Sequence, residues 1–196
     1  MPVTYIYPDS TESNTNWTVD ASTTLHATLT TTAENLPTPS DVDDIIAAAD
    51  GANFVVTLED VHFGNLNISQ VNSIQVEGKH YNVAKSNVSN YTVRIKDSSD
   101  TSLYVETSSN VTPTDTYSDW NLTPRTTSDG STAWGADDIN GLKLDVTGNV
   151  DSGEMRLNWI RIRINYDENA PIYESGEPNM NVEEGIITVD EGIVIL

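Results

Sequence analysis

The chain has no cysteine, only three histidines, and nine basic residues against thirty acidic ones in 196 positions. Without cysteine there is no disulfide, no thiolate metal site and no thiol redox chemistry. A cysteine-free chain is stable on either side of a membrane. No stretch approaches the roughly 20 consecutive apolar residues that a membrane helix requires. The opening residues 1–9 carry neither the basic start nor the apolar run of a signal peptide, so synthesis in a cytoplasm without export by that route is expected. A formal charge of −21 repels nucleic-acid phosphates and anionic membrane surfaces alike, which argues against both as partners. The same charge keeps many copies of an outward-facing protein soluble.

Signatures of chemistry are also missing. His26, His62 and His80 stand far apart with no metal-ligand spacing. No nucleophile elbow or glycine-rich phosphate loop is present. Thirty carboxylates create close pairs by accident, and glycoside hydrolysis needs two of them placed in a cleft. No catalytic residue is therefore assigned, and the chain is expected not to be an enzyme. Asp41, Asp43 and Asp44 cluster, Asp97 and Asp100 flank a turn, and Asp137 and Asp138 adjoin. None fits a calcium-loop template, so they read as solvated turn residues, with a structural calcium ion as the alternative. No other metal or cofactor is indicated. Six Asn-x-Ser/Thr triplets, beginning at Asn16, Asn67, Asn87, Asn90, Asn110 and Asn121, follow from the Asn, Ser and Thr content and read as compositional.

What is present is period-two hydrophobicity. Short apolar runs separated by Asn, Asp, Ser, Thr and Gly predict an all-β, antiparallel sandwich, and 196 residues suit one domain able to bury roughly 70% of its unfolded surface. Val3–Tyr7, Leu25–Thr32, Phe54–Leu58, Ile74–Val83, Tyr91–Ile95, Leu103–Val105 and Leu142–Val146 all read as strands, with Gly78 suggesting a bulge. Leu157–Tyr166 is the strongest. Ile160, Ile162, Ile164 and Tyr166 share one side and Arg161, Arg163 and Asn165 the other, marking a sheet with one buried and one wet face. Leu157 and Trp159 break that phase, which predicts a bulge near Trp159 or an outward Trp159. Phe54, Val56, Trp17 and Trp134 join the four inward residues as the expected core.

Residues 40–51 leave two readings open, a short capped helix or a strand. Ala136–Asn140 is a candidate single helical turn. The chain divides into an N-terminal strand or arm (1–15), the sandwich (16–167), an acidic Pro/Gly linker (168–181) and a C-terminal β arm (182–196). In that arm Glu184–Val189 is echoed seven residues on by Glu191–Leu196. Ile186, Ile187, Val189, Ile193, Val194, Ile195 and Leu196 would be an aggregation hazard if left bare. They are expected to pair with a partner's sheet edge, or to fold back as a hairpin turning at residues 190–192.

A pattern now stands in order: Trp17, the Asp-Asp-Ile core of residues 41–46, Phe54–Leu58, Ile74–Val76, Tyr91–Ile95, Trp120–Pro124, Ala133–Trp134, Asp138–Leu142 and Ile160–Tyr166. Over about residues 16–167 this resembles the jelly-roll β-sandwich modules of virion structural proteins in tailed, particularly environmental and marine, bacteriophages. In that family the Asp-Asp-Ile segment is extended, which favours the strand reading. The resemblance implies a non-enzymatic capsid decoration, knob or tail-appendage protein located in the virion. Its partners would be further copies of itself, a trimer by analogy, and other virion proteins such as the major capsid protein. The repeat-bearing tail departs from the pattern. Related sandwiches serve as carbohydrate-binding modules, so a glycan-binding adhesion module is the alternative. For it Trp159 is the tryptophan expected to be exposed and available to a glycan or partner.

Overall fold

The computed structural model describes residues 2–19, 24–30, 44–47, 49–61, 68–82, 90–108, 118–150, 154–168, 181–183, 186–189 and 192–195. One sheet runs in the order β3 (Trp17–Val19), β4 (Ile45–Ala47), β11 (Met155–Glu168), β6 (Ile68–Asn82) and β9 (Ser118–Asn121), with β1 (Val3–Ile6) also pairing with β11. The second runs β2 (Pro8–Thr15), β5 (Ala52–Leu58), β10 (Lys143–Asn149), β7 (Asn90–Lys96) and β8 (Ser102–Thr107). Every pairing in both is antiparallel. The protein is an all-β sandwich, and β1 and β2 are members of its two sheets. Of the strand and arm readings of residues 1–15, residues 3–6 and 8–15 are strands, which supply backbone partners to β11 and β5.

The core follows from strand alternation. Ile74, Val76, Ile160, Ile162, Ile164 and Tyr166 of the first sheet are buried, as are Phe54, Val56, Tyr91, Val93, Ile95, Leu144 and Val146 of the second. Removing each such large side chain from water stabilises the fold by about 1.5–3 kcal/mol. Trp134 is buried too, its indole Nε1 donating to the carbonyl of Arg125 at 3.0 Å.

The chain passes from the second sheet to the first at a corner between β2 and β3. Asn16 takes a positive φ of 63°, and Asn14 clamps the turn. Its Oδ1 accepts from the Trp17 amide at 3.2 Å and its Nδ2 donates to the Trp17 carbonyl at 2.9 Å. This aims Trp17 into the core, edge-on to Phe54 with ring centroids 5.3 Å apart. The indole lies across Gly148 of β10, where a Cβ would sit 3.1 Å from Trp17 Cζ2 and 3.3 Å from Ala47 Cβ. A glycine inside a strand here marks a close approach of ring to backbone.

Two expectations are corrected. Leu25–Thr30 forms a helix, α1, in place of a strand. Leu25, Thr28 and Leu29 are buried, the i, i+3, i+4 spacing of a helix packed on one side. The Thr28 hydroxyl turns back on the Thr24 carbonyl at 3.1 Å, and α1 packs on β2 and β11, so tertiary burial overrides threonine's preference for strands. Gly78 carries no bulge, since it pairs regularly with Ile160 and with Trp120. The register slip lies beside it, between Leu157 and Trp159, and Asn158 is the extra residue. Ile45–Ala47 is extended, as the likeness favoured; residues 40–43 lie outside the described ones. Ala136–Ile139 forms the short helix α2.

At the C-terminus β12 (Asn181–Glu183), β13 (Ile186–Val189) and β14 (Gly192–Ile195) form a separate three-stranded antiparallel sheet. Ile186 pairs with Ile195, Ile187 with Val194 and Val189 with Gly192, so the two repeats face each other across residues 190–191.

The contact between Trp17 and Gly148 yields a stability prediction. Gly148→Ala pushes a methyl into the indole and Ala47, and should lower unfolding free energy by about 1–3 kcal/mol in denaturant titrations. Alanine substitution at Gly130, where nothing lies within 4 Å, adds no such overlap and is strained only by its positive φ.

Candidate functional site

The bulge at Asn158 decides what the wet face of β11 presents. Asn158 is itself buried, and its Nδ2 donates to the fully buried Asp44 at 3.2 Å. Arg156 stands 3.8 Å from the same carboxylate and 3.1 Å from Glu154. Beyond the bulge, Trp159, Arg161, Arg163 and Asn165 point outward, alternating with Ile160, Ile162 and Ile164.

Trp159 is nevertheless only 8% exposed, which corrects the expectation that it offers an open ring. The Arg161 guanidinium covers it, 4.9 Å from the indole centroid, and lies 3.8 Å over the Tyr5 ring from β1. Stacking of this kind shields the ring while leaving the guanidinium edge free for hydrogen bonds. That edge meets Glu77 of β6, with Nε and Nη2 each 3.1 Å from Oε2. Arg163 approaches the other carboxylate oxygen at 3.7 Å. Asn165 and Ser73 continue the row at 2.9 Å, and Gln75 donates to the Leu122 carbonyl at 2.8 Å.

The outer face of the second sheet is built the same way. Lys143, on the central strand β10, is 2.9 Å from both Glu12 and Asp100, whose carboxylates hold its pKa up while it holds that of Asp100 down. Asp145 lies 2.7 Å from Lys96, 3.7 Å from Arg94 and 2.7 Å from Asn53 Nδ2. Both sheet faces are thus tiled by ion pairs.

The remaining candidates are dispersed. His26 bridges Thr11 and Thr24 at 3.1 and 3.3 Å. His80 is buried and stacked on Tyr91, with centroids 5.5 Å apart, and burial lowers its pKa to about 4 against the pull of Asp119. Asp97 accepts from the Ser99 and Thr101 amides at 2.8 and 2.9 Å. Asp138 accepts from the Gly135 amide at 2.8 Å. Asp129, which the sequence reading did not single out, ties a turn through the amides and hydroxyls of Ser131 and Thr132, and those bonds hold its pKa far below the carboxylate range. Asp41, Asp43 and His62 lie outside the described residues. Among the described residues no group of three or more His, Asp or Glu side chains converges on a metal-sized site. Backbone pairing brings Ile186, Ile187, Val189, Ile193, Val194 and Ile195 into one sheet; Leu196 is outside the described residues.

No protein-family model matches the chain, and no curated protein matches it by sequence. Among solved structures, the enzymatically active domain of tailspike protein 4 from bacteriophage CBA120 aligns with a TM-score of 0.42 at 10% identity, over 82% of this chain and 19% of that one. A family 6 carbohydrate-binding module aligns with a TM-score of 0.39 at 12% identity, over 84% and 93%. The CBM22-1 xylan-binding domain from Paenibacillus barcinonensis Xyn10C gives 0.39 at 12%, over 84% and 94%.

The Glu77 cluster and His80 each generate a prediction. Glu77→Leu leaves two guanidinium groups facing each other with no counter-charge, and should destabilise the fold by about 3 kcal/mol in denaturant titrations. Adding Arg161→Leu should recover part of that loss. For His80, the unfolded chain takes up a proton as pH falls through about 6.5, while the folded chain resists until about 4. Stability is complete above the higher value and lost progressively between the two, by up to about 3 kcal/mol. His80→Gln cannot gain that charge, so the stability gap between wild type and variant at pH 7.5 should shift by about that amount in the variant's favour at pH 4.

Proposed function

We propose that the chain is a non-enzymatic structural component of a bacteriophage particle, a capsid decoration or tail-appendage module that attaches through its C-terminal β segment. The observation that carries this reading is the separate sheet β12–β14, whose strands, among the described residues, pair with one another and with none of the sandwich strands. By sequence β13 carries Ile186, Ile187 and Val189 and β14 carries Ile193, Val194 and Ile195, so apolar residues dominate both strands. A sheet of three short strands buries little by itself and gains stability when another surface covers it. The sandwich supplies the complementary part. Its faces are closed by ion pairs and its surplus acid keeps neighbouring modules from adhering indiscriminately.

The test is removal of residues 182–196. The truncated chain should retain the β-rich circular dichroism and cooperative unfolding of the sandwich, and lose binding to particles or to the purified major capsid protein. Unchanged binding by the truncated chain would sink the attachment role. The glycan-binding alternative would run through Arg163, Gln75 and Asn165 on the first sheet, since Trp159 is covered. Retention on a glycan array that disappears in Arg163→Ala would move the assignment to host adhesion.

A further inference from the structure

The ion pairs on the outer face of the second sheet extend as far as the row through Asp145 and Arg94. One row further along, charge stops. Thr15 of β2 stands opposite Asn53 of β5, and Asn53 opposite Thr147 of β10. Thr147 stands opposite Thr92 of β7, and Thr92 opposite Thr107 of β8. Residues directly opposite share a face, and the chain neighbours Phe54, Val146 and Val93 are buried, so this row lies outward. Each of the five strands contributes one hydrogen-bonding, uncharged side chain to it. Thr15 and Thr107 at its ends are exposed, and the three between them are half-buried.

The hydrogen bonds within the row leave protons over. Asn53 Nδ2 donates to Asp145 Oδ1 at 2.7 Å and to Thr147 Oγ1 at 3.0 Å. Arg94 Nη1 donates to the same hydroxyl at 3.4 Å. Neither nitrogen can accept, so Thr147 directs its own proton elsewhere, and no acceptor among the described residues receives it. Asn149 Nδ2 donates to Thr92 Oγ1 at 3.1 Å, and Thr92 and Thr107 share one hydrogen bond at 3.2 Å. Two hydroxyls with one bond between them leave a second proton available.

We propose that this row is a binding lane for a neutral polysaccharide chain lying across the strands of the second sheet. An anionic ligand is opposed by the field of a chain of charge −21. A cationic group would meet outward protons and the Arg94 guanidinium, and an apolar surface would leave those protons without acceptors. Neutral sugar hydroxyls and ether oxygens accept them at no cost in charge. Repetition points the same way, because a polymer crossing the strands meets one such side chain roughly every 4.7–4.9 Å. The lane is also set before binding. Threonine is stiff about χ1, and the N–H donors already fix these oxygens, so little freedom is lost on contact. This inference does not rest on the attachment role of the C-terminal strands, and it places the ligand on the sheet opposite the one that carries Arg163.

The test is native electrophoresis of the full chain through gels containing dextran, galactomannan or xyloglucan, which are neutral, or alginate, which is acidic. At least one neutral polysaccharide should retard the chain, and alginate should not. Thr147→Val combined with Thr92→Val should raise the dissociation constant at least about tenfold with unchanged circular dichroism. Thr147→Ser, which keeps the hydroxyl, and Arg163→Ala, on the other sheet, should each bind as the wild type does. Removal of residues 182–196 should leave retardation intact, which separates this lane from the attachment segment. Retardation by none of the neutral polysaccharides would overturn it. So would retardation by alginate alone, or binding that Arg163→Ala abolishes and the double valine variant keeps.

Discussion

The structure depends on the ladder between β11 and β6. These are the two longest strands, and their register sets which residues of the first sheet turn inward. A shift of one position would send Arg161 and Arg163 into the core and the isoleucines into water. The bulge at Asn158 lets one strand serve two phases. Before it, Leu157 packs inward beside Ile45; after it, Ile160 does, with Trp159 turned out. The extra residue costs a buried amide, and Asp44, itself fully buried, supplies its partner. Asp44 is tied in turn to Arg156, so the irregularity is held by a polar cluster and not by apolar packing alone.

Charge is distributed by the same ladder logic. Every lysine and arginine among the described residues stands within 4.0 Å of a carboxylate. The scarce cations sit mostly on β6, β7, β10 and β11, where backbone pairing sets Arg161 opposite Glu77, Arg94 opposite Asp145 and Lys79 opposite Asp119, and the others reach acids through their side chains. What remains for the outer surface and loops is nearly pure surplus acid. Two copies of such a molecule repel at distances up to a Debye length, roughly 8 Å at physiological salt. Association must then use short-range contacts at places where charge is missing or already satisfied.

Much of the architecture was legible in the sequence because strand alternation is a local signal. Ile160 through Tyr166, Phe54 through Leu58 and Tyr91 through Ile95 announce both their conformation and their buried side. Leu25–Thr30 was not legible, since leucines four apart share a side in either a strand or a helix, and only the packing against β2 and β11 chooses between them. Val3–Ile6 was legible as a strand, but the membership of Pro8–Thr15 in a sheet was hidden. Its partner β5 lies some forty to fifty residues on, and β2, rich in Ser, Asn and acid, carries no apolar alternation to betray it. Gly148 held a readable clue, a glycine within a strand, but the ring that requires it belongs to a residue more than a hundred positions away.

Trp159 shows why the site was harder to read than the fold. Strand phase correctly sends its side chain outward, yet outward is not the same as exposed. Whether a ring on a sheet face meets water is settled by residues on neighbouring strands, here Tyr5 and Glu77 acting through Arg161. The aromatic that looked available for a ligand instead forms the floor under an ion pair. On the first sheet the ring is closed off by Arg161 and Glu77, and on the second Lys143 and Asp145 stand in ion pairs of the same kind, so the two sheet faces are built alike.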